Sequence, residues 1–254
     1  MFRVESDPVS GGIVVCDGVG SFADSGEVAE RVLDIALHHL EGNEVQDGMA
    51  SCAQCVAEAL RHAPDESLGR TTMIAGGADE AGRVAFCYVG NGAFLELQGT
   101  PLGDGRTRLS WANHTLPHIS YDRGREALSS YLPGAGDRDP AVSTGTLGPG
   151  GHITRLFLAC TDGIFSAEEA RTGKMPDDSV WTEVPETIAR VLQDLEALWN
   201  KLEVSDAPET ELTACLSSTL DALREEGVLE DDATVGAILV RPFRKREPVA
   251  EVGA

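Results

Sequence analysis

The order of its elements predicts an α+β fold of antiparallel strands with the helices set apart from them. Three observations carry this. Apolar runs at 71–78, 83–89, 93–97 and 106–112 follow one another with only turn residues between them, the pattern of consecutive strands. Helical periodicity is confined to two pairs, 25–40 with 45–63 and 184–203 with 207–226. The remaining runs, 13–16, 153–160 and 233–240, are mostly apolar, as buried strands are. Strands alternating with helices would have implied a doubly wound parallel sheet; this order implies packed layers.

The elements follow in turn. Ile13-Val14-Val15-Cys16, after Ser10-Gly11-Gly12, reads as a buried strand leaving a turn. Ser25 is expected to cap a helix through Leu40 whose inner face is Val28, Val32, Ala36 and Leu40, with Gly42-Asn43 ending it. Residues 45–63 repeat the pattern with Met49, Cys52, Val56, Ala59 and Leu60, and Pro64 closes it. Gly90-Asn91-Gly92 between two strands signals a hairpin. Residues 113–150 are rich in Gly, Pro, His and Asp, with a short helix expected around 122–131. Val184, Ile188, Val191, Leu195 and Leu198 mark the third helix, and Pro208 sits in the loop before the fourth. There is no internal repeat or linker, so residues 1–241 are expected to form one domain and 242–254 a flexible basic tail.

Composition narrows the function. The 254 residues hold 20 Lys+Arg against 42 Asp+Glu, a formal charge of −22. Such a balance disfavours nucleic acid and anionic membrane surfaces, both of which need clustered cations, and leaves cations and polypeptides as partners. No apolar run exceeds about five residues, far short of the ~20 that span a bilayer. The first ten residues already carry Glu5 and Asp7, with no apolar stretch behind them, so no targeting segment is expected. Cys16 and Cys160 lie in apolar runs and read as buried thiols of a reducing, cytoplasmic compartment.

Three aspartates mark strand ends. Asp17 follows Ile13–Cys16, Asp162 follows Leu156–Thr161, and Asp231 precedes Ala233–Val240. One Asp-Gly alone is an ordinary turn. Three, each tied to a buried strand, can converge at one rim, where their mutual repulsion calls for a cation. Oxygen-only ligands suit Mg²⁺ or Mn²⁺ and not Zn²⁺.

The segments IVVCDGVGS, GRTTMIAG, AFCYVGNGAFLEL, LFLACTDGIFS and EDDATVGAILV, in this order across roughly residues 3–240, resemble the successive motifs of the metal-dependent type 2C serine/threonine protein phosphatases (the PPM type). The resemblance implies a four-layer α-β-β-α sandwich: two packed, mostly antiparallel sheets flanked by helix pairs. It implies hydrolysis of phosphoserine or phosphothreonine on proteins by a metal-activated water, with one to two Mn²⁺ or Mg²⁺ ions and a phosphorylated protein, the target of a cognate kinase, as partner. Asp17 would bridge the ions, the Gly18 carbonyl would bind one of them, and Asp162 and Asp231 would complete the first metal site. Arg3 would hold the substrate phosphate. Glu5, Asp7 and Asn91 would be weaker ligands or neighbours of the ligands. The chain departs from the pattern at three places. Ser6 stands where the family has Glu before Asp, Asn91 replaces the aspartate of a Gly-Asp-Ser-Arg motif, and Val19 stands where some members have a histidine. Ser6 and Asn91 favour the alternative of a catalytically impaired pseudophosphatase that binds a phosphoprotein or regulator.

Other motifs yield blander readings. Gly18-Val19-Gly20-Ser21-Phe22-Ala23 fits a dinucleotide fingerprint, but helix follows helix and no acidic residue ends a second strand about 20 positions on. Cys52 and Cys55 are expected as core-facing thiols of a helix, His114 and His118 as a polar loop pair, and Arg244-Lys245-Arg246 as solvated tail.

Overall fold

The computed structural model describes residues 12–61, 69–122, 125–134, 138–165, 171–174, 180–229 and 232–242. Strand β1 (Gly12–Gly18) leads into helices α1 (Ser25–Glu41) and α2 (Val45–Arg61). Strands β2 (Thr71–Ala78), β3 (Val84–Val89), β4 (Ala93–Pro101) and β5 (Thr107–Asn113) follow. A small ribbon pairs β6 (Ile119–Asp122) with β7 (Arg125–Leu128), and β8 (Ser143–Leu147) and β9 (Arg155–Cys160) come next. A second ribbon pairs β10 (Arg171–Lys174) with β11 (Val180–Glu183). Helices α3 (Glu186–Val204) and α4 (Pro208–Glu225) precede the last strand, β12 (Val235–Val240). Two four-stranded antiparallel sheets result, in the orders β1-β2-β3-β8 and β12-β9-β4-β5.

The layers follow from side-chain alternation. On β1, Val14 and Cys16 face the helices, where Val28, Val32 and Ala36 of α1 and Met49, Cys52, Val56 and Ala57 of α2 cover the first sheet. Ile13 and Val15 face the other sheet, in a layer with Ile74, Phe86, Phe94, Phe157 and Ile238. The second sheet turns Leu95, Leu97, Leu156 and Leu158 to Ile188, Leu195 and Trp199 of α3 and Leu216 and Leu220 of α4. Strands β3 and β9 are therefore buried at every residue, which explains the unbroken apolar runs Val84–Val89 and Leu156–Cys160. The edge strands β5 and β8 alternate instead. Each fully buried Leu, Val, Ile or Phe contributes about 1.5–3 kcal/mol relative to exposure. Phe86 stacks on Phe94 at 4.7 Å, and Phe94 on Phe157 at 5.8 Å, so aromatic rings fill the centre of the sandwich.

Three expectations are corrected. Ser25 does not cap α1: Asp24 occupies that position with φ 60°, and Ser25 is the first helical residue. Its hydroxyl donates to the Val19 and Phe22 carbonyls and accepts from the Arg70 amide, so it shapes the preceding loop. The described residues of 122–131 form no helix. The β6–β7 ribbon stands there, since a four-residue strand pairs locally where a helical turn would lack an apolar face to bury. Gly90–Gly92 is not a hairpin turn either. β3 pairs with β2 and β8, and β4 with β5 and β9, so these three residues carry the chain from one sheet to the other. All six cysteines are free; Cys52 and Cys160 are buried as expected, whereas Cys16 is only half-buried against the helix-side core and Cys55 is half-buried outside the core clusters. Burial raises the Cys160 thiol to about 12.

One charged cluster lies inside the inter-sheet layer. Arg155 donates from Nη1 to Glu96 Oε1 at 3.3 Å and from Nη2 to the Gly82 carbonyl at 2.9 Å. His114 Nε2 lies 3.0 Å from Glu96 Oε2, Gln98 Nε2 donates to Glu96 Oε1 at 2.9 Å, and the Arg155 guanidinium stands 5.0 Å from the Phe157 ring centre. Burial works to raise the Glu96 pKa. The hydrogen bonds from Gln98 and His114 and the charge of Arg155 outweigh it and hold the carboxyl below its ordinary range. With its folded pKa depressed, Glu96 contributes stability that is complete above the ordinary Glu value near ~4.3 and is lost as pH falls through the lowered folded value. Glu96→Gln is expected to destabilise by about 3 kcal/mol at pH 7, because Arg155 loses its buried counter-charge. Urea melts from pH 3 to 7 should show a shallower acid limb for Glu96→Gln; an unchanged limb would exclude this role for Glu96.

Candidate active site

The β1 ladder places the first aspartate. Asp17 lies within β1, not beyond it, and pairs with Thr72, while Gly18 pairs with Thr71. Alternation puts Asp17 on the same side as Val15, the side facing the second sheet. The Asp17 carbonyl accepts from Thr71 Oγ1 at 2.7 Å, which fixes the strand end. A Cβ on Gly18 would come within 2.9 Å of the Ser25 carbonyl carbon, so only glycine lets α1 start so close to the strand.

The second aspartate reaches the same rim by a different route. Asp162 follows β9 in a turn where the Ile164 and Phe165 amides donate to the Thr161 carbonyl. That turn is laced to the approach of β12. The Thr161 amide donates to the Thr234 carbonyl at 3.0 Å, and the Thr234 amide donates to Thr161 Oγ1 at 2.9 Å. Asn91 Nδ2 donates to Asp162 Oδ2 at 2.6 Å. A carboxylate only accepts, so the amide nitrogen and not the oxygen must face it.

The inter-sheet link joins the two sides. Gly90 has φ 119°, and a Cβ there would press 2.5 Å from Thr72 Cγ2, the partner of Asp17. Glycine is needed on both counts. Asp17, Thr72, Gly90, Asn91 and Asp162 thus form an unbroken line across the rim. Of the residues named from the sequence, the structure brings Asp17, Gly18, Asn91 and Asp162 to this one rim. Arg3, Glu5, Asp7 and Asp231 lie outside the described residues. Among the described residues, no group of three or more His, Cys, Asp or Glu side chains is arranged to hold a metal ion.

His118 is a participant that sequence reading missed. Its backbone amide donates to the Gly90 carbonyl at 2.8 Å, and the Gly90 amide donates to its Nδ1 at 3.2 Å. Nε2 therefore carries the proton and faces Ser143 Oγ at 3.0 Å, while the ring stacks on Tyr88 at 4.9 Å. His114, the other half of the supposed loop pair, instead joins Glu96. The spacing from His114 hid this, because each histidine serves a different layer. Arg70 was also missed. Its guanidinium lies 5.5 Å from the Phe22 ring centre and 5.7 Å from that of Tyr131, and only the distant pairing of β1 with β2 brings it to the rim.

Burial lowers the His118 pKa below 6.5. A histidine held neutral in the fold gives stability that is complete above its unfolded pKa and falls as pH drops below it. His118→Phe keeps the stacking and leaves the buried Gly90 amide without its acceptor, an expected loss of about 1–3 kcal/mol at pH 7.5. It should also flatten the fall in stability between pH 7 and 5. Urea melts at the two pH values test both, and an unaltered pH slope would refute the assignment.

No protein-family model and no curated protein sequence matches the chain. Solved structures do. The serine/threonine phosphatase PstP of Mycobacterium tuberculosis aligns with a TM-score of 0.55 at 14% identity, covering 95% of this chain and 92% of that one. The PPM Ser-Thr phosphatase MsPP of Mycobacterium smegmatis, solved with cacodylate, gives 0.53 at 14% identity over 95% and 91%. PppA, a regulatory component of the type VI secretion system in Pseudomonas aeruginosa, gives 0.53 at 16% identity over 91% and 86%. At such identities the likeness is one of architecture: the chain has the α-β-β-α sandwich fold of the PPM-type serine/threonine phosphatases.

Proposed function

We propose that the chain hydrolyses phosphoserine or phosphothreonine on proteins with the help of Mn²⁺ or Mg²⁺. The observation carrying this is the line from Asp17 through Thr72 and Gly90 to the Asn91–Asp162 hydrogen bond, at one rim of a fold shared with known serine/threonine phosphatases. The donors there are carboxylates, a main-chain carbonyl and an amide, which are hard oxygen ligands and fit such a cation. Asp17, the Gly18 carbonyl, Asp162 and Asp231 would hold it, with Glu5, Asp7 and Asn91 as weaker contributors. Bound there, a divalent ion supplies an acidified water and neutralises charge on phosphorus-bound oxygens. The chain's own part is to hold the carboxylates fixed: the Thr71 hydroxyl and the closely packed Gly18 at one end, the Thr161–Thr234 lacing at the other. Arg3 would contact the phosphoryl oxygens. Six free cysteines suit a cytoplasmic setting, and no helix among the described residues is long and apolar enough to cross a membrane.

A second reading, a phosphoprotein-binding pseudophosphatase, draws on Asn91. An amide donating to Asp162 stands where a carboxylate would add charge for a further ion. Wild type, Asp17→Asn and Asp162→Asn, assayed on an aryl phosphate and a phosphopeptide with Mn²⁺ titrated in, separate the two. Hydrolysis by wild type with at least a hundredfold loss in both variants supports the hydrolase. Equal rates in all three would refute it, and Mn²⁺ binding without turnover would favour the pseudophosphatase.

Asn91→Asp gives a reading independent of activity. Two carboxyls would then meet where one hydrogen bond stood, so the metal-free variant is expected to melt lower than wild type. Added Mn²⁺ should raise its melting temperature more than that of wild type. A melting temperature insensitive to Mn²⁺ in both proteins would count against any cation at this rim.

A further inference from the structure

One loop holds both ends of the link between the sheets. Residues 114–118, which follow β5, run back along Gly90–Gly92. At Gly90 the hold is double. The His118 amide donates to the Gly90 carbonyl at 2.8 Å, and His118 Nδ1 accepts from the Gly90 amide at 3.2 Å. These two groups belong to the two peptide planes on either side of the Gly90 Cα. Fixing both planes fixes φ and ψ of a glycine, the residue type with the most backbone freedom to lose. Gly90 is held in this way at φ 119°. The ring that does so is itself tied down. Its Nε2 donates to Ser143 Oγ on β8 at 3.0 Å, and Ser143 pairs with Tyr88, on whose ring His118 stacks. The Tyr88 hydroxyl donates to the Leu116 carbonyl at 2.9 Å and accepts from the Leu116 amide at 2.7 Å, so the loop is anchored to the same tyrosine. At the far end of the link, buried Thr115 accepts at Oγ1 from the Phe94 amide at 3.3 Å and stands 3.2 Å from the Gly92 carbonyl. Asn91 lies between the two held glycines, and its Nδ2 donates to Asp162 Oδ2.

We infer that His118 is a positioning residue for Asn91, with Thr115 as its counterpart at Gly92: together they hold the link so that Asn91 meets Asp162 with Nδ2. This rests on the hydrolase reading only where activity is the readout. A Gly-Asn-Gly segment left to itself would sample many conformations, since two of its three residues are glycines. Hydrogen bonds weaken steeply with misalignment, so Asn91 needs a fixed backbone to make one at 2.6 Å. Asp162 cannot supply that order alone, because a carboxylate accepts from any donor that reaches it. Stacking on Tyr88 cannot supply it either. A ring without the Nδ1 acceptor would leave the Gly90 amide free to turn, and the link with it.

The test compares wild type, His118→Phe, His118→Asn and Thr115→Val as full chains without metal, each shown to be folded by its melting temperature. The readout is the pair of Asn91 side-chain amide signals in proton–nitrogen NMR spectra, assigned by their absence from Asn91→Asp. In wild type one Nδ2 proton bonds Asp162 and the other does not, so the two signals are expected well apart. His118→Phe keeps the stacking and loses the acceptor, and its Asn91 signals are expected to move towards those of a solvent-exposed asparagine. His118→Asn places Oδ1 near the position of Nδ1 and loses the ring, and its signals should stay closer to wild type. Support by stacking alone predicts the reverse order. Thr115→Val should shift the same signals by loosening Gly92. With turnover of an aryl phosphate, His118→Phe should lower kcat about tenfold while KM stays within about threefold; an unchanged kcat would overturn its part in the reaction. Unshifted Asn91 signals in folded His118→Phe overturn the assignment, as does the reverse order of the two His118 variants. Should His118→Phe not fold, Ser143→Ala takes its place by freeing the ring from β8, and unshifted signals there overturn the assignment equally. Shifted signals without hydrolysis by wild type would uphold His118 and remove the hydrolase reading instead.

Discussion

Three residues, Gly90, Asn91 and Gly92, carry the chain from the first sheet to the second, and the geometry of the rim depends on how short that link is. From Val89 to Ala93 the chain takes four Cα steps and reaches at most about 13–14 Å. Packed sheets stand about 10 Å apart. The end of β3 and the start of β4 must therefore face each other directly. Pairing then aligns the other ends: Met73 opposite Val89 brings Thr71 and Gly18 to this edge, and Cys160 opposite both Ala93 and Val235 brings Asp162 and the approach to β12. Asp17 and Asp162 come to the same edge because the link is short.

The opposite end of the sandwich is closed by charge. Arg155 sits where β9 begins, and its Nη2 reaches the Gly82 carbonyl in the turn between β2 and β3. At one end the Gly90–Gly92 link joins the two sheets, and at the other the 148–154 connection from β8 to β9 is joined by a buried guanidinium, with the Phe86–Phe94–Phe157 stack between. A buried ion pair is a poor source of net stability. Its use here is directional: a hydrophobic side chain could fill the space, but it would not fix the turn of one sheet against the strand of the other.

The pattern of burial decides what a sequence reader can see. Strands covered on both faces are largely apolar runs, so β2, β3 and β9 were legible, as were the four helices from their i, i+4 stripes. The positions of Asp17 and Asp162 were legible as charges at the ends of such runs. What escaped was everything set by long-range pairing. Asn91-Gly92 carries the local signature of a hairpin, and nothing nearby shows that its flanking strands pair elsewhere. His118 was read beside His114 because of their spacing, yet one braces Gly90 and the other Glu96. Arg70 lies 53 residues from Asp17 in the chain and enters the rim only through the β1–β2 register.

Electrostatics at the rim turns on one amide. In a chain of net charge −22, facing carboxylates repel unless something offers them a positive edge. Asn91 offers one to Asp162 with Nδ2, in a 2.6 Å hydrogen bond. A cation entering there competes with that bond. The amide must turn to present Oδ1, an acceptor without charge, and give up its donor contact as it does. On the hydrolase reading, Asn91 would weaken the hold of a divalent ion here, because its donor contact to Asp162 is lost when Oδ1 turns inward.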